Sequence, residues 1–347
     1  MYMEMRLDQL NPNDMPEAEH KFIQKINSHD SLFQLVAFHA EEAILQSARV
    51  KYKHLNNCSN VVIARVGSGG RFDGAAVGDQ EFLIITKPCM KEGDLSDEQI
   101  STLIEELDGY VDLGIQEYSR SSVEHKDFSK GVRELLYHKN RKSHPYPARV
   151  LDSEYIAGNV DLFFESKIEI YKEIRNNSKI LKKIRGELSD YKEVCKTGIT
   201  SFKGESVIQF EDFSHEYSFV AYDSAKGIYG FKYAFIRLIQ LGMSLLIYRY
   251  IKNSNCDLKE FLDIPPGIEE KIRYCLRKEW IENTESIIKV GVAYVKCIDI
   301  QTTLKVRYHQ QHPLEREILL INFNEPFVEW VREEIGSYPD NIILNQC

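Results

Sequence analysis

The chain has 347 residues, of which 43% are hydrophobic and 28% charged, and it carries a net charge of −9 at neutral pH. That length and composition suit a soluble, globular protein of two moderate domains with ample length for a buried core. The acidic balance argues against broad nucleic-acid binding through phosphate neutralisation.

Seven cysteines (Cys58, Cys89, Cys195, Cys256, Cys275, Cys297 and Cys347) are scattered, with no Cys-x-x-Cys, and point to reduced thiols in the cytoplasm. Met1-Tyr-Met-Glu-Met-Arg-Leu-Asp8 is charged early and has no apolar stretch, so no secretory signal is expected.

Apolar residues at three-and-four spacing predict helices over Pro16 to Asn27 and Ser31 to Tyr52, the latter through Leu32, Leu35, Val36, Phe38, Ala43 and Leu45. Two runs of strand type follow, Val61 to Val66 and Phe82 to Ile85. They bracket a loop with five glycines, Arg71 and, at its far end, Asp79 and Glu81. Gly67 and Ser68 end the first strand without a bulky side chain, so backbone N–H groups can approach a phosphate, and a short helix starting there favours the same anion. Asp79 and Glu81 are two apart, so on a strand both carboxylates leave one face. Hard oxygen ligands so placed suit Mg²⁺ and, with triphosphate oxygens completing the shell, a displacement at phosphorus. No Gly-Lys-Ser/Thr follows the glycines, which excludes the usual P-loop. A Rossmann fingerprint fits poorly, because Asp79-Gln-Glu81 leads a strand where that fold needs a helix.

Further on, Ser96 to Leu107 is an acidic amphipathic helix with Ser96 as its N-cap. Gly109 to Tyr118 is expected as a third strand and Val123 to Lys142 as a basic helix ending before His144-Pro-Tyr-Pro147. Leu162 to Lys196 has helical periodicity, with its lysines on a solvated face. Thr197 to Tyr217 is a Gly-punctuated hairpin. Gly230 to Tyr250 is apolar, but Lys232, Arg237 and Gln240 interrupt it, which predicts a buried helix and no membrane span. Ile264-Pro-Pro-Gly267 breaks the chain before a helix over Glu269 to Asn283, and a helical bundle completes it.

Gly67-Ser68, Arg71, Asp73 and then Asp79-Gln-Glu81 followed by Phe-Leu-Ile-Ile resemble the signature of the DNA-polymerase-β-type nucleotidyltransferases, and most the branch holding the PII uridylyltransferase family. Val111-Asp-Leu-Gly-Ile115 is similar to the segment of that branch that crosses beside the acid pair, which implies Asp112 as third carboxylate. Ala148 to Asn159 is similar to its Leu-Leu-Glu-Ala-Arg-x-x-Ala-Gly-Asp motif, with Asp152 as the alternative third acid and Glu154 where the motif has arginine. Asp223 to Lys232 resembles a glycine-rich loop of the branch, with Lys226 and Lys232 as cations for a triphosphate.

The resemblance implies an α+β protein: a small mixed-sheet nucleotidyltransferase core with flanking helices over residues 1–155, then a mostly helical domain over 156–347. It implies transfer of UMP or AMP from an NTP to an acceptor hydroxyl, on a protein, with release of pyrophosphate. Asp79, Glu81 and Asp112 would hold Mg²⁺ or Mn²⁺, and Gly67, Ser68, Arg71, Lys226 and Lys232 the nucleotide. The alternative is a catalytically inactive nucleotide-binding or regulatory module, suggested by departures from the pattern: Glu81 for aspartate, Glu154 and Lys232 for arginines, and Gln116-Glu117-Tyr118 after the third acid.

Overall fold

A computed structural model describes residues 15–27, 32–71, 80–89, 91–108, 121–136, 148–182, 184–186, 188, 200–202, 205–213, 216–221, 236–254, 256–310 and 319–324. Helices and strands are mixed, in the α+β class. Helices α1 (Glu17–Asn27) and α2 (Leu32–Lys51) precede strand β1 (Val61–Val66), as their periodicity predicts. The short α3 (Gly67–Gly70) follows at once, and β2 (Gln80–Thr86) returns antiparallel to β1. Helix α4 (Asp97–Asp108) begins with a reciprocal cap: the Gln99 amide donates to Ser96 Oγ at 3.3 Å and the Ser96 amide donates to Gln99 Oε1 at 2.8 Å.

α4 carries the chain across to β3 (Ser121–Asp127), which lies parallel to β2. A parallel pair needs such a crossover, because a tight turn cannot reverse the chain twice. After α5 (Val132–Leu136) and α6 (Ala148–Leu151), β4 (Glu154–Gly158) pairs antiparallel with the free edge of β1, giving the order β3-β2-β1-β4.

Every residue of β1 is buried, which places it at the centre with both faces covered. Val61, Ile63, Phe82 and Ile84 face α2 and α4 through Leu45, Ala48, Leu103 and Leu107. Val62, Ala64, Val66, Leu83 and Ile85 face the later helices: α7 (Val160–Asn176), α8 (Arg237–Asn253), α9 (Leu258–Leu262), α10 (Ile268–Arg277) and α11 (Thr284–Gln310). That second core is continuous from the sheet to α11, so the helices after β4 share it with the strands before it.

Three expectations change. Residues 123–127 form β3, followed by a 3-10 turn at Phe128–Lys130 and then α5, in place of one helix to Lys142. Pairing with β2 decides this, because seven residues of β3 find a partner there and local preference is weak by comparison. The boundary expected after residue 155 falls inside β4, whose ladder with β1 joins the two sides. The second half, expected to be mostly helical, also holds an antiparallel sheet β5-β6-β7-β8 of Thr200–Phe202, Glu205–Phe213, Glu216–Ala221 and Leu319–Asn324. It contains the expected hairpin, joined by a distant strand. The third strand expected over 109–118 lies outside the described residues. Among the described residues no helix is long and apolar enough to cross a membrane.

The end of β4 is tightly specified. Gly158 has φ +98°, and a Cβ there would lie 2.3 Å from the Val61 carbonyl oxygen and 2.8 Å from Val62 Cα. Asn159 then caps α7, its Oδ1 accepting from the amides of Asp161 at 2.9 Å and Leu162 at 3.1 Å. Gly158→Ala meets both left-handed strain and an immovable backbone, so it should cost about 2 to 6 kcal/mol in urea unfolding. An alanine variant as stable as the parent would refute this geometry.

Candidate functional site

The antiparallel register of β1 and β2 sets Val66 opposite Glu81, so the glycine turn that ends β1 and the acid that begins β2 meet at one edge of the sheet. The contact is close. Gly67 has φ +66°, and a Cβ on it would lie 1.6 Å from Glu81 Oε2. Only a residue without a side chain leaves the carboxylate its place there.

The parallel register of β2 and β3 pairs Glu81 with Ser122 and Leu83 with Glu124. Glu81 and Glu124 therefore leave the same face from neighbouring strands, one step apart. Arg149 from α6 joins them: its Nη2 donates to Glu81 Oε1 at 2.9 Å and its Nη1 to Glu124 Oε2 at 3.0 Å. Lys126 Nζ, two residues along β3, lies 2.8 Å from Glu124 Oε1. Two carboxylates and two cations thus alternate along one face. The outer pair is about a quarter exposed, with side-chain values of 24% for Arg149 and 27% for Glu81. The inner pair is almost sealed, at 3% for Lys126 and 7% for Glu124.

Behind the turn lie two buried guanidinium groups. Arg65 on β1 is fully buried, donates to Gln80 Oε1 at 2.5 Å, and lies so close to the turn that a Cβ on Gly69 would be 2.4 Å from its Nε. Arg71, at the end of α3, is also buried.

Of the residues singled out in the sequence, Gly67, Arg71 and Glu81 thus come together around the end of β1, with the Ser68 backbone in α3. Asp79, Asp112, Lys226 and Lys232 lie outside the described residues. Asp152, the alternative third acid, forms a buried ion pair with Lys271 of α10. Lys271 also donates to the Pro266 carbonyl at 2.9 Å. Asp152 Oδ2 is buried with no donor among the described residues. It borders a cavity of about 20 Å³, lined also by Lys167, Ser244 and Tyr248, with room for a water molecule. Burial pushes the Lys167 ammonium down to about 8, against the pull of Glu154 and Asp152.

Glu124, Lys126, Arg149 and Arg65 carry no role in the sequence reading. Their signal is tertiary: β3 had first to be recognised as a strand for Glu124 to fall beside Glu81.

Carboxylate oxygens are the donors a hard divalent cation takes, so the chemistry of Glu81 and Glu124 fits Mg²⁺ or Mn²⁺. Among the described residues no three His, Cys, Asp or Glu side chains converge on one point.

Two outcomes test this geometry. Gly67→Ala should cost about 2 to 4 kcal/mol from left-handed strain and the clash with Glu81, and only about 1 to 2 in a Glu81→Ala background. Additive losses in denaturant titration would refute the contact. Lys271→Met, which leaves Asp152 charged and buried, should cost about 3 to 5 kcal/mol, and adding Asp152→Asn should recover more than half of that. No recovery in the double variant would show that the pair is not the source of the loss.

Neither the protein-family models nor the curated proteins with which the chain was compared match it.

Proposed function

We propose that the chain is a cytoplasmic nucleotidyltransferase that moves an NMP group, UMP or AMP, from an NTP to an acceptor hydroxyl on a protein, with release of pyrophosphate. The observation that supports this most is the β1–β2 register, which sets the Glu81 carboxylate against the Gly67-Ser68 turn. A phosphate held at that turn lies beside an acid on the neighbouring strand. In this proposal strands β1 to β4 with the helices before and between them supply the nucleotidyltransferase core, and the helices from α7 onward share one of its hydrophobic faces.

Glu81 and Asp79 hold Mg²⁺, or Mn²⁺ in its place, with Asp112 as third ligand or as acceptor of the hydroxyl proton. The metal, when bound, neutralises charge on the triphosphate and on the leaving pyrophosphate. The turn at Gly67-Ser68 presents backbone N–H groups to the phosphates. Arg65 lies buried beneath it and Arg71 buried at its end. Lys226 and Lys232 add cations for the triphosphate. The net charge of −9 disfavours RNA as acceptor, and the resemblance to the PII uridylyltransferase family points to a protein side chain, tyrosine first, ahead of a small molecule.

A nucleotide-binding module without turnover is the second reading, and one observation favours it: Glu81 is already neutralised by Arg149.

Incubation with labelled UTP or ATP and a cell lysate should give a labelled protein band and free pyrophosphate. Losing a metal ligand removes most of the charge stabilisation, so Glu81→Ala and Asp79→Ala should each lower turnover by about 10² to 10⁴. Turnover unchanged in both variants would overturn the assignment; binding of NTP without any pyrophosphate would favour the module.

A further inference from the structure

The Arg149 guanidinium spans two carboxylates from different strands, with one nitrogen on each. Without it Glu81 and Glu124 would face each other as like charges on one side of the sheet. Its position is the one a cation takes between two acids, so a metal ion drawn to Glu81 meets a positive charge already seated on Oε1, with Oε2 left toward the Gly67 turn.

We propose that Arg149 is a gate: it closes the carboxylate site while no nucleotide is bound, and it opens by moving from Glu81 to a phosphate of the incoming metal–NTP complex. The proposal rests on the nucleotidyl-transfer reading. Three features support it. The outer contact, Arg149 to Glu81, is partly exposed and so exchangeable at small cost. The inner carboxylate keeps a second cation, because Lys126 stays on Glu124 when Arg149 leaves, so no buried charge is orphaned. Glu81 lies against the Gly67 turn, so a guanidinium released from it is already beside the phosphate position, where a planar fork binds two oxygens.

The consequence is ordered binding. Metal alone is opposed by the Arg149 charge on the same carboxylate, whereas metal with a triphosphate brings Arg149 a new anionic partner. Each ligand therefore tightens the other through a single side chain, and the coupling must be reciprocal.

The test is Mn²⁺ binding, read from the paramagnetic resonance of free Mn²⁺, in the wild type and in Arg149→Gln and Arg149→Lys, each checked for folding by circular dichroism. The wild type should bind Mn²⁺ weakly by itself and about tenfold more tightly with a non-hydrolysable NTP analogue, the equivalent of one charged contact. Arg149→Gln should bind Mn²⁺ alone about tenfold more tightly than the wild type and gain little from the analogue. Arg149→Lys, which keeps the charge and loses the fork, should fall between. If both variants bind Mn²⁺ no more tightly than the wild type while Glu81→Gln weakens binding, the gate is overturned and the transfer site stands. If Glu81→Gln leaves Mn²⁺ binding unchanged with and without the analogue, the transfer site itself fails and the gate falls with it.

Discussion

One pairing, Val66 against Glu81, controls the edge of the sheet where the site lies. Alternate residues of β1 and β2 belong to different cores, so a slip of one residue would move Val62, Ala64 and Val66 out of one core and Glu81 into the other. The hydrophobic pattern therefore pins the register, and the register in turn fixes which face the acid leaves. Gly67 completes the constraint, since any side chain there would occupy the space that the carboxylate fills. The glycine turn and the acid are separate features of the sequence that become one feature of the structure.

The charges on that face are graded with depth. Glu124 and Lys126 lie inside, where an unpaired partner would face a dielectric too low to stabilise it, so this pair is fixed once the sheet forms. Glu81 and Arg149 lie outside, where water can replace either partner and the contact is worth less. Rearrangement is cheap only at the outer end, which is also the end that meets the glycine turn. Asp152 and Lys271 repeat the inner case behind α6: a sealed pair that ties β4's approach to α10 and has no exposed end to exchange.

What was legible in the sequence was local. β1 and β2 announce themselves by uninterrupted apolar runs, α1 and α2 by periodicity, and α4 by its amphipathic pattern with Ser96 as cap. β3 was not legible. Val123-Glu-His-Lys-Asp127 puts a glutamate and a lysine on the face that packs inward, and such residues ordinarily mark a solvated helix; only pairing with β2 makes a strand of them. β8 was missed for a related reason, because its partner β7 is distant in the chain and nothing adjacent to Leu319–Asn324 reports the pairing. The site divides the same way. Gly67 and Glu81 stood out because the turn and the acid lie close in sequence, whereas Glu124 and Arg149 join them through contacts that no spacing encodes.

The structure also weighs the departures that suggested a decayed site. Glu154 replaces the arginine of the motif it resembles, which reverses a charge. In the β1–β4 ladder Glu154 pairs with Arg65, which is opposite Phe82, so it belongs to the row that leaves the face away from Glu81. There it meets Arg49 of α2, whose Nη2 donates to its Oε1 at 2.8 Å, while Nε and Nη2 also donate to the Tyr155 carbonyl. The reversed charge is thus balanced within the fold, on the side of the sheet that carries no part of the acid cluster. A sign change there alters how α2 is tied to β4. The replacement of aspartate by glutamate at position 81 is different in kind, because it keeps the charge and lengthens the side chain by one methylene. With Gly67 opposite, the carboxylate reaches over the turn, its Oε2 filling the space that a side chain on Gly67 would take.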